Sequence, residues 1–248
     1  MYKQIVISNR KLFFDYRREL GKFTSDQEIT NVKEPYTDKV FSVKQEEAFN
    51  KEEAFDKEFF VNKDNSLIKK FSSTEELQVN AYIEQLVALV KRTDHLIFRE
   101  KDLSEQEYKS LAMWLLSLCD RDKIILHTFV DVAIELQHKS IHLPIPLFRN
   151  NIDKLQHFEC IGVSVHSLEE AIFAQNNGAT YITYSHIFPT ECKAGVEAKG
   201  VENLKKVCET LSIPVYALGG IKKENESLVI EAGASGICKM SEYMQILA

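Results

Sequence analysis

Nowhere do the 248 residues hold an apolar run near the roughly 20 residues that a helix needs to span a bilayer, which excludes a membrane-spanning helix. Basic residues are not in excess either. Lysine and arginine number 31 against 37 aspartates and glutamates, a net charge of -6, so the electrostatic footprint of a nucleic-acid binder is missing. Cysteines are few, odd in number and scattered: Cys119, Cys160, Cys192, Cys208 and Cys238. None forms a CxxC pair, and no HExxH segment occurs, so neither a disulfide framework nor a zinc site is expected, and reduced thiols are. A secretory pattern is also lacking. Met1-Tyr2-Lys3-Gln4 runs straight into Ile5-Val6-Ile7, and a cytoplasmic protein without nucleic-acid or membrane partners is the expectation.

What is present is alternation. Hydrophobic residues make up 44% of the chain, enough for a full core. Short β-branched runs are predicted as strands at 3–8, 95–99, 123–127, 140–143, 159–165, 180–185, 213–218 and 235–240. Amphipathic stretches lie between them: from Thr74, from Ser104-Glu105 through Cys119, 129–136, 148–155, 167–177, 200–211 and 223–232. Pro144 and Pro146 read as the stop of the fourth strand. Gly178-Ala179 and Gly233-Ala234 each end a helix and enter a strand. Eight βα units at this length predict a closed parallel (β/α)₈ barrel, α/β in class, as a single domain over 1–248. Residues 14–73 break the alternation. They form a charged insertion between the first strand and its helix, readable as a lid, an arm between copies of a homo-oligomer, or a disordered loop.

Active sites of such barrels lie at the C-terminal ends of the strands. Four clusters fall there. Arg99-Glu100-Lys101 closes the second strand, where Arg99 can face the mouth; the alternative is a surface charge pair. Ser164 and His166 close the fifth on one face, because residues two apart in a strand point the same way. A histidine there exchanges protons near neutral pH and is the candidate acid/base. Tyr184-Ser185-His186 closes the sixth, followed by a loop with Thr190 and Lys193, a hydroxyl and an ammonium suited to a phosphate. Gly219-Gly220 follows the seventh, and Met240-Ser241 closes the eighth; phosphate sites recur at these two places. The third and fourth strands end in His127-Thr128 and His142-Leu143-Pro144, with no carboxylate to hold magnesium, and no metal or cofactor is expected.

These segments together resemble the thiamin phosphate synthase/TenI family over the first strand and roughly 94–241. The matches are Arg99-Glu100-Lys101, Gly162-Val163-Ser164-Val165-His166-Ser167, His186-Ile187-Phe188-Pro189-Thr190-Glu191-Cys192-Lys193 and Ile213-Pro214-Val215-Tyr216-Ala217-Leu218-Gly219-Gly220-Ile221. The resemblance implies a small phosphorylated thiazole substrate. It implies substrate contacts at Arg99, Lys101, Ser164, His186, Thr190 and Lys193, and phosphate contacts at Gly219, Gly220, Met240 and Ser241. The synthase branch joins a pyrimidine diphosphate to a thiazole phosphate, with magnesium held by an aspartate after each of strands 3 and 4. Here Thr128 and Leu147 stand at those places. The TenI branch, a metal-independent thiazole tautomerase, shares Leu143-Pro144, the Thr-x-Cys-Lys loop and the Ser-Val-His-Ser-Leu-Glu-Glu-Ala turn. On these points the expected activity is the tautomerase, an isomerase with His166 as acid/base and negligible synthase activity. The synthase and a non-catalytic ligand-binding protein are the alternatives. Lys239 before Met240-Ser241 and Glu242 after it depart from the family's small residues.

Overall fold

A parallel strand buried on both faces needs apolar side chains pointing both ways, and the β-branched runs supply them. In the computed structural model, which describes residues 3–10, 13–14 and 73–241, eight strands close into one ring. They are β1 Lys3–Ile7, β2 His95–Phe98, β3 Ile124–His127, β4 Ser140–Pro144, β5 Cys160–Val165, β6 Tyr181–Ser185, β7 Val215–Leu218 and β8 Gly236–Lys239. Each pairs in parallel with its successor, and β8 returns to β1 with Ile5 opposite Cys238. The helices are α1 Ser73–Arg92, α2 Glu105–Leu118, α3 Val130–Glu135, α4 Ile145–Asn150, α5 Leu168–Asn176, α6 Gly200–Thr210 and α7 Glu226–Glu231. The expected (β/α)₈ barrel is the observed one.

Alternation along the strands splits the core in two. Val6, Leu96, Phe98, Leu126, Val163, Ile182 and Ile237 face outward and pack under the helices. Ile5, Ile7, Ile97, Ile125, Tyr181, Tyr216 and Cys238 face the axis and fill the barrel. Helix starts follow local chemistry. Ser104 and Glu107 form a capping box at α2, with Glu107 N donating to Ser104 Oγ and Ser104 N donating to Glu107 Oε2. At α5 the Ser167 hydroxyl accepts from Glu170 N at 3.2 Å.

Two elements differ from expectation. The segment expected as one helix over 148–155 is two pieces: α4 begins earlier, at Ile145, and a 3-10 turn follows over Ile152–His157. Pro144 caps α4 and Pro146 sits in its first turn, where a missing N–H costs nothing, so the prolines start a helix as well as stop a strand. The insertion over 14–73, its expected place on the C-terminal face and Glu242 lie outside the described residues, apart from Phe14 and Ser73 at its ends.

Candidate active site

Inward parity carries polar groups to the C-terminal mouth. Two residues beyond the axis-facing Ile97 and Ile125 come Arg99 and His127; His142 lies two beyond Ser140 and Ser164 two beyond Gly162. The structure brings these together. The rings of His127 and His142 stack with centroids 5.6 Å apart and planes 14° apart. His142 Nε2 lies 2.7 Å from Ser164 Oγ, and His142 Nδ1 lies 2.9 Å from the Tyr181 hydroxyl. Thr183 Oγ1 donates to Ser164 Oγ at 3.2 Å. Burial, with the Arg99 charge in second place, pushes His142 down to about 3. His127 is held well below its ordinary value by burial, then by His142, Arg99 and Lys101. The floor of the mouth is therefore two neutral imidazoles and three hydroxyls, with Arg99 close enough to act on both rings.

Arg99 is half-buried, and burial lowers its pKa; Lys101 is lowered by burial and by Arg99. A half-desolvated guanidinium beside a second cation is a site for an anion, and the planar fork of an arginine suits phosphate oxygens.

His166 is exposed at the end of β5. Its Nδ1 lies 2.9 Å from the carbonyl oxygen of Ser185, so Nδ1 carries the hydrogen and Nε2 is the basic nitrogen. Glu170 on α5 accepts from the His166 backbone N–H at 2.7 Å and holds the turn. His186 is placed differently. It is buried, its Nε2 donates to the Val196 carbonyl at 3.2 Å, and its own carbonyl accepts from Lys199 N at 2.8 Å. That ring braces the loop between β6 and α6.

The same loop carries Thr190, half-buried, and Lys193, exposed, at the two ends of a 3-10 turn. Cys192 Sγ lies 3.9 Å from Ser241 Oγ, which brings this loop against the end of β8. Met240 is reached by Asn9 Nδ2 at 3.6 Å. Gly219 and Gly220 have φ of +100° and +66°. The Gly219 carbonyl accepts from Phe188 N at 3.0 Å, which locks the turn after β7 to the loop after β6. Lys239 points outward beneath α7 and pairs with Glu226 Oε1 at 2.5 Å, so it is spoken for by a carboxylate under that helix.

Sequence reasoning passed over Glu100, His127, His142, Tyr181 and Thr183. The last four were findable: each sits an even number of residues from another axis-facing position. Glu100 is the reverse of a surface charge. It is 2% exposed and accepts hydrogen bonds from the Ser8 and Tyr82 hydroxyls and, at 2.7 Å, from Arg10 N.

A parallel (β/α)₈ barrel with cations and hydroxyls at its C-terminal mouth has the architecture of a barrel enzyme. The particular family follows from comparison. The thiamine monophosphate synthase family model matches residues 72–243, and the chain belongs to that family. It is 35% identical over 148 residues to a thiamine-phosphate synthase of Clostridium acetobutylicum, covering 58% of this chain and 70% of that one. A thiamine-phosphate synthase of Clostridium botulinum is 37% identical over 151 residues, covering 59% and 74%. Among solved structures, the thiamine phosphate pyrophosphorylase of Pyrococcus furiosus superposes with a TM-score of 0.55 at 29% identity, covering 66% of this chain and 81% of that one.

These relatives overturn the expected tautomerase. That reading rested on three short segments at the mouth, whereas the likeness over some 150 residues of barrel lies with proteins named as synthases. The magnesium site attributed to the synthase branch does not fit the residues present. Thr128 is hydrogen-bonded to His127 Nδ1, and Leu147 packs against the core. Among the described residues no three His, Cys, Asp or Glu side chains converge as metal ligands.

Proposed function

We propose that this protein is an enzyme of thiamin biosynthesis of the synthase type, joining a pyrimidine diphosphate to a thiazole phosphate at the barrel mouth. The observation that carries the reading is the convergence there of Arg99 and Lys101 with the His142–Ser164–Thr183 floor, in a chain that matches the thiamine monophosphate synthase family over residues 72–243. In this reaction a ring nitrogen of the thiazole forms a bond to the carbon that carries the diphosphate. The C–O bond breaks, and its electron pair leaves with pyrophosphate. Negative charge therefore grows on the diphosphate, and fixed cations that meet it lower the barrier. Arg99, Lys101 and Lys193 are assigned that work, with the Thr190 and Ser241 hydroxyls as further donors.

Ser164 and the neutral His142 suit an uncharged heteroaromatic ring, because neither imposes a charge that the ring would have to match. His166, with Nε2 as its basic nitrogen, stands at the rim and is assigned to orienting the substrates.

The test is direct. Purified protein given both substrates should form thiamin phosphate at an enzymatic rate, with and without added magnesium. Arg99→Ala should lower kcat/KM by about 10²-fold, the scale of losing a charge-assisted contact that strengthens in the transition state. Absence of thiamin phosphate under both conditions would sink the assignment.

A further inference from the structure

Arg99 and Lys101 face the mouth only if the residue between them faces away, and the chain has placed a carboxylate there. Glu100 sits outside the ring at a three-way junction. Ser8 comes from the end of β1, Tyr82 from α1 and Arg10 from the residues after β1, and all three donate to it. The Ser8 hydroxyl has a second task. It accepts from the backbone N–H of Arg99 at 2.7 Å while donating to Glu100. Ser8 N in turn donates to the Ile97 carbonyl at 2.9 Å, so β1 and β2 are tied immediately below. On the far side of the loop, the Arg10 guanidinium pairs with Asp102 at 2.8 Å. Phe13 packs on Tyr82 with ring centroids 5.2 Å apart and holds the phenol in place. A hydroxyl that donates to a carboxylate and accepts from an amide has its hydrogen direction set by the charge.

We propose that Glu100 is the positioning residue of the mouth cations: through Ser8 it fixes the backbone of Arg99, and through Arg10 the loop to Asp102, so that Arg99 and Lys101 are presented to a diphosphate. The inference rests on the proposed diphosphate site. Glu100 never touches the ligand; it acts through the two residues beside it. The charged and titratable groups that act on it or feel it, among the described residues, are Arg10, Tyr82, Arg99, Asp102 and the buried Tyr108 of α2. Burial, and to a smaller degree Asp102, raises Glu100 to about 7, while the Ser8, Tyr82 and Arg10 donors oppose that rise. Protonation would therefore reverse or break the Ser8 link within the physiological range.

Positioning and simple electrostatics make opposite forecasts, which gives the test its force. Removing a negative charge near an anion site should tighten anion binding if charge alone matters. If Glu100 positions the cations, Glu100→Gln should weaken it, because an amide offers one acceptor where three donors converge. The probe is inorganic pyrophosphate, titrated against the full chain. Glu100→Gln is expected to raise Kd about tenfold, the scale of one charge-assisted hydrogen bond. Ser8→Ala, which keeps the carboxylate and removes the link, is expected to do the same and serves if Glu100→Gln does not fold. The wild-type advantage over Glu100→Gln should fade as pH falls through about 7; the ionisation of pyrophosphate is common to both proteins and cancels in the ratio. Equal or tighter binding by both variants overturns the inference. Should wild-type and Arg99→Ala bind pyrophosphate alike, the diphosphate reading falls instead. Amide hydrogen exchange then decides the positioning separately: faster exchange at Arg99 in Glu100→Gln, with β5 and β6 unchanged, supports it, and unchanged exchange overturns it.

Discussion

Two kinds of buried titratable residue pull stability in opposite directions with pH. His142 ionises at about 3 in the folded chain against an ordinary 6.5. The folded state keeps it neutral while the unfolded chain takes up a proton, so its contribution is complete above about pH 6.5 and lost as pH falls toward 3. His127 acts in the same sense. Glu100 is the converse. Its folded value near 7 exceeds the ordinary 4.5, so the folded state binds the extra proton, and stability drains as pH rises from about 4.5 to 7. The size of that drain is on the order of 3 kcal/mol. Glu100→Gln should flatten the loss on the rising side and His142→Gln the loss on the acid side. Urea denaturation of each variant from pH 3.5 to 8 checks both, and parallel curves for wild type and variants would remove the assignments.

At the scale of elements, the loop between β6 and α6 is held by its neighbour rather than by itself. Gly220 has φ +66°, and a Cβ placed there would sit 2.6 Å from the Pro189 carbonyl oxygen and 2.7 Å from that of Phe188. Gly219 leaves no more room: its Cβ would meet that of His186 at 2.3 Å. The turn after β7 is thus a template against which Thr190 and Lys193 are set. Gly220→Ala should cost about 2 kcal/mol or more through strain and collision and should weaken pyrophosphate binding with it. Thermal denaturation and a pyrophosphate titration measure the two effects. A variant that loses stability while binding normally would show that the template does not reach the site.

Across the whole molecule, the closed ring separates stability from chemistry along one axis. Below lies an apolar plug of Ile5, Ile7, Ile97, Ile125 and Cys238 with two tyrosines; above it lies the polar floor of the mouth. Ile125 is 2% exposed, one pleat beneath His127. Ile125→Ala should destabilise the barrel by about 2–5 kcal/mol, because a closed ring cannot collapse onto the cavity. KM for the folded protein should change by less than about threefold, since the transfer and cavity terms act on folding alone. Denaturant titration and steady-state kinetics on the same preparation test the separation, and a KM that rises with the stability loss would deny it.

Much of this was readable in the chain. The eight strands, their parallel order and the places of Arg99, Ser164, Thr190, Lys193 and Gly219-Gly220 follow from periodicity of two and from where strands end, both local properties of sequence. Pro144 and Pro146 do stop the fourth strand, but the helix expected from 148 begins at Ile145, because a proline that ends a strand also suits a helix's first turn. The tautomerase expectation erred because it weighed a few mouth residues above the barrel as a whole. Tertiary structure alone decided the rest. Ser8, Tyr82 and Glu100 lie up to 92 positions apart and meet because β1, α1 and β2 converge at one rim. His142 finds Ser164 and Tyr181 because three adjacent strands share a register. Contacts between strand neighbours depend on ring closure and shear, which no single segment contains. The chain therefore specifies which groups reach the mouth, and the closed ring determines which of them touch.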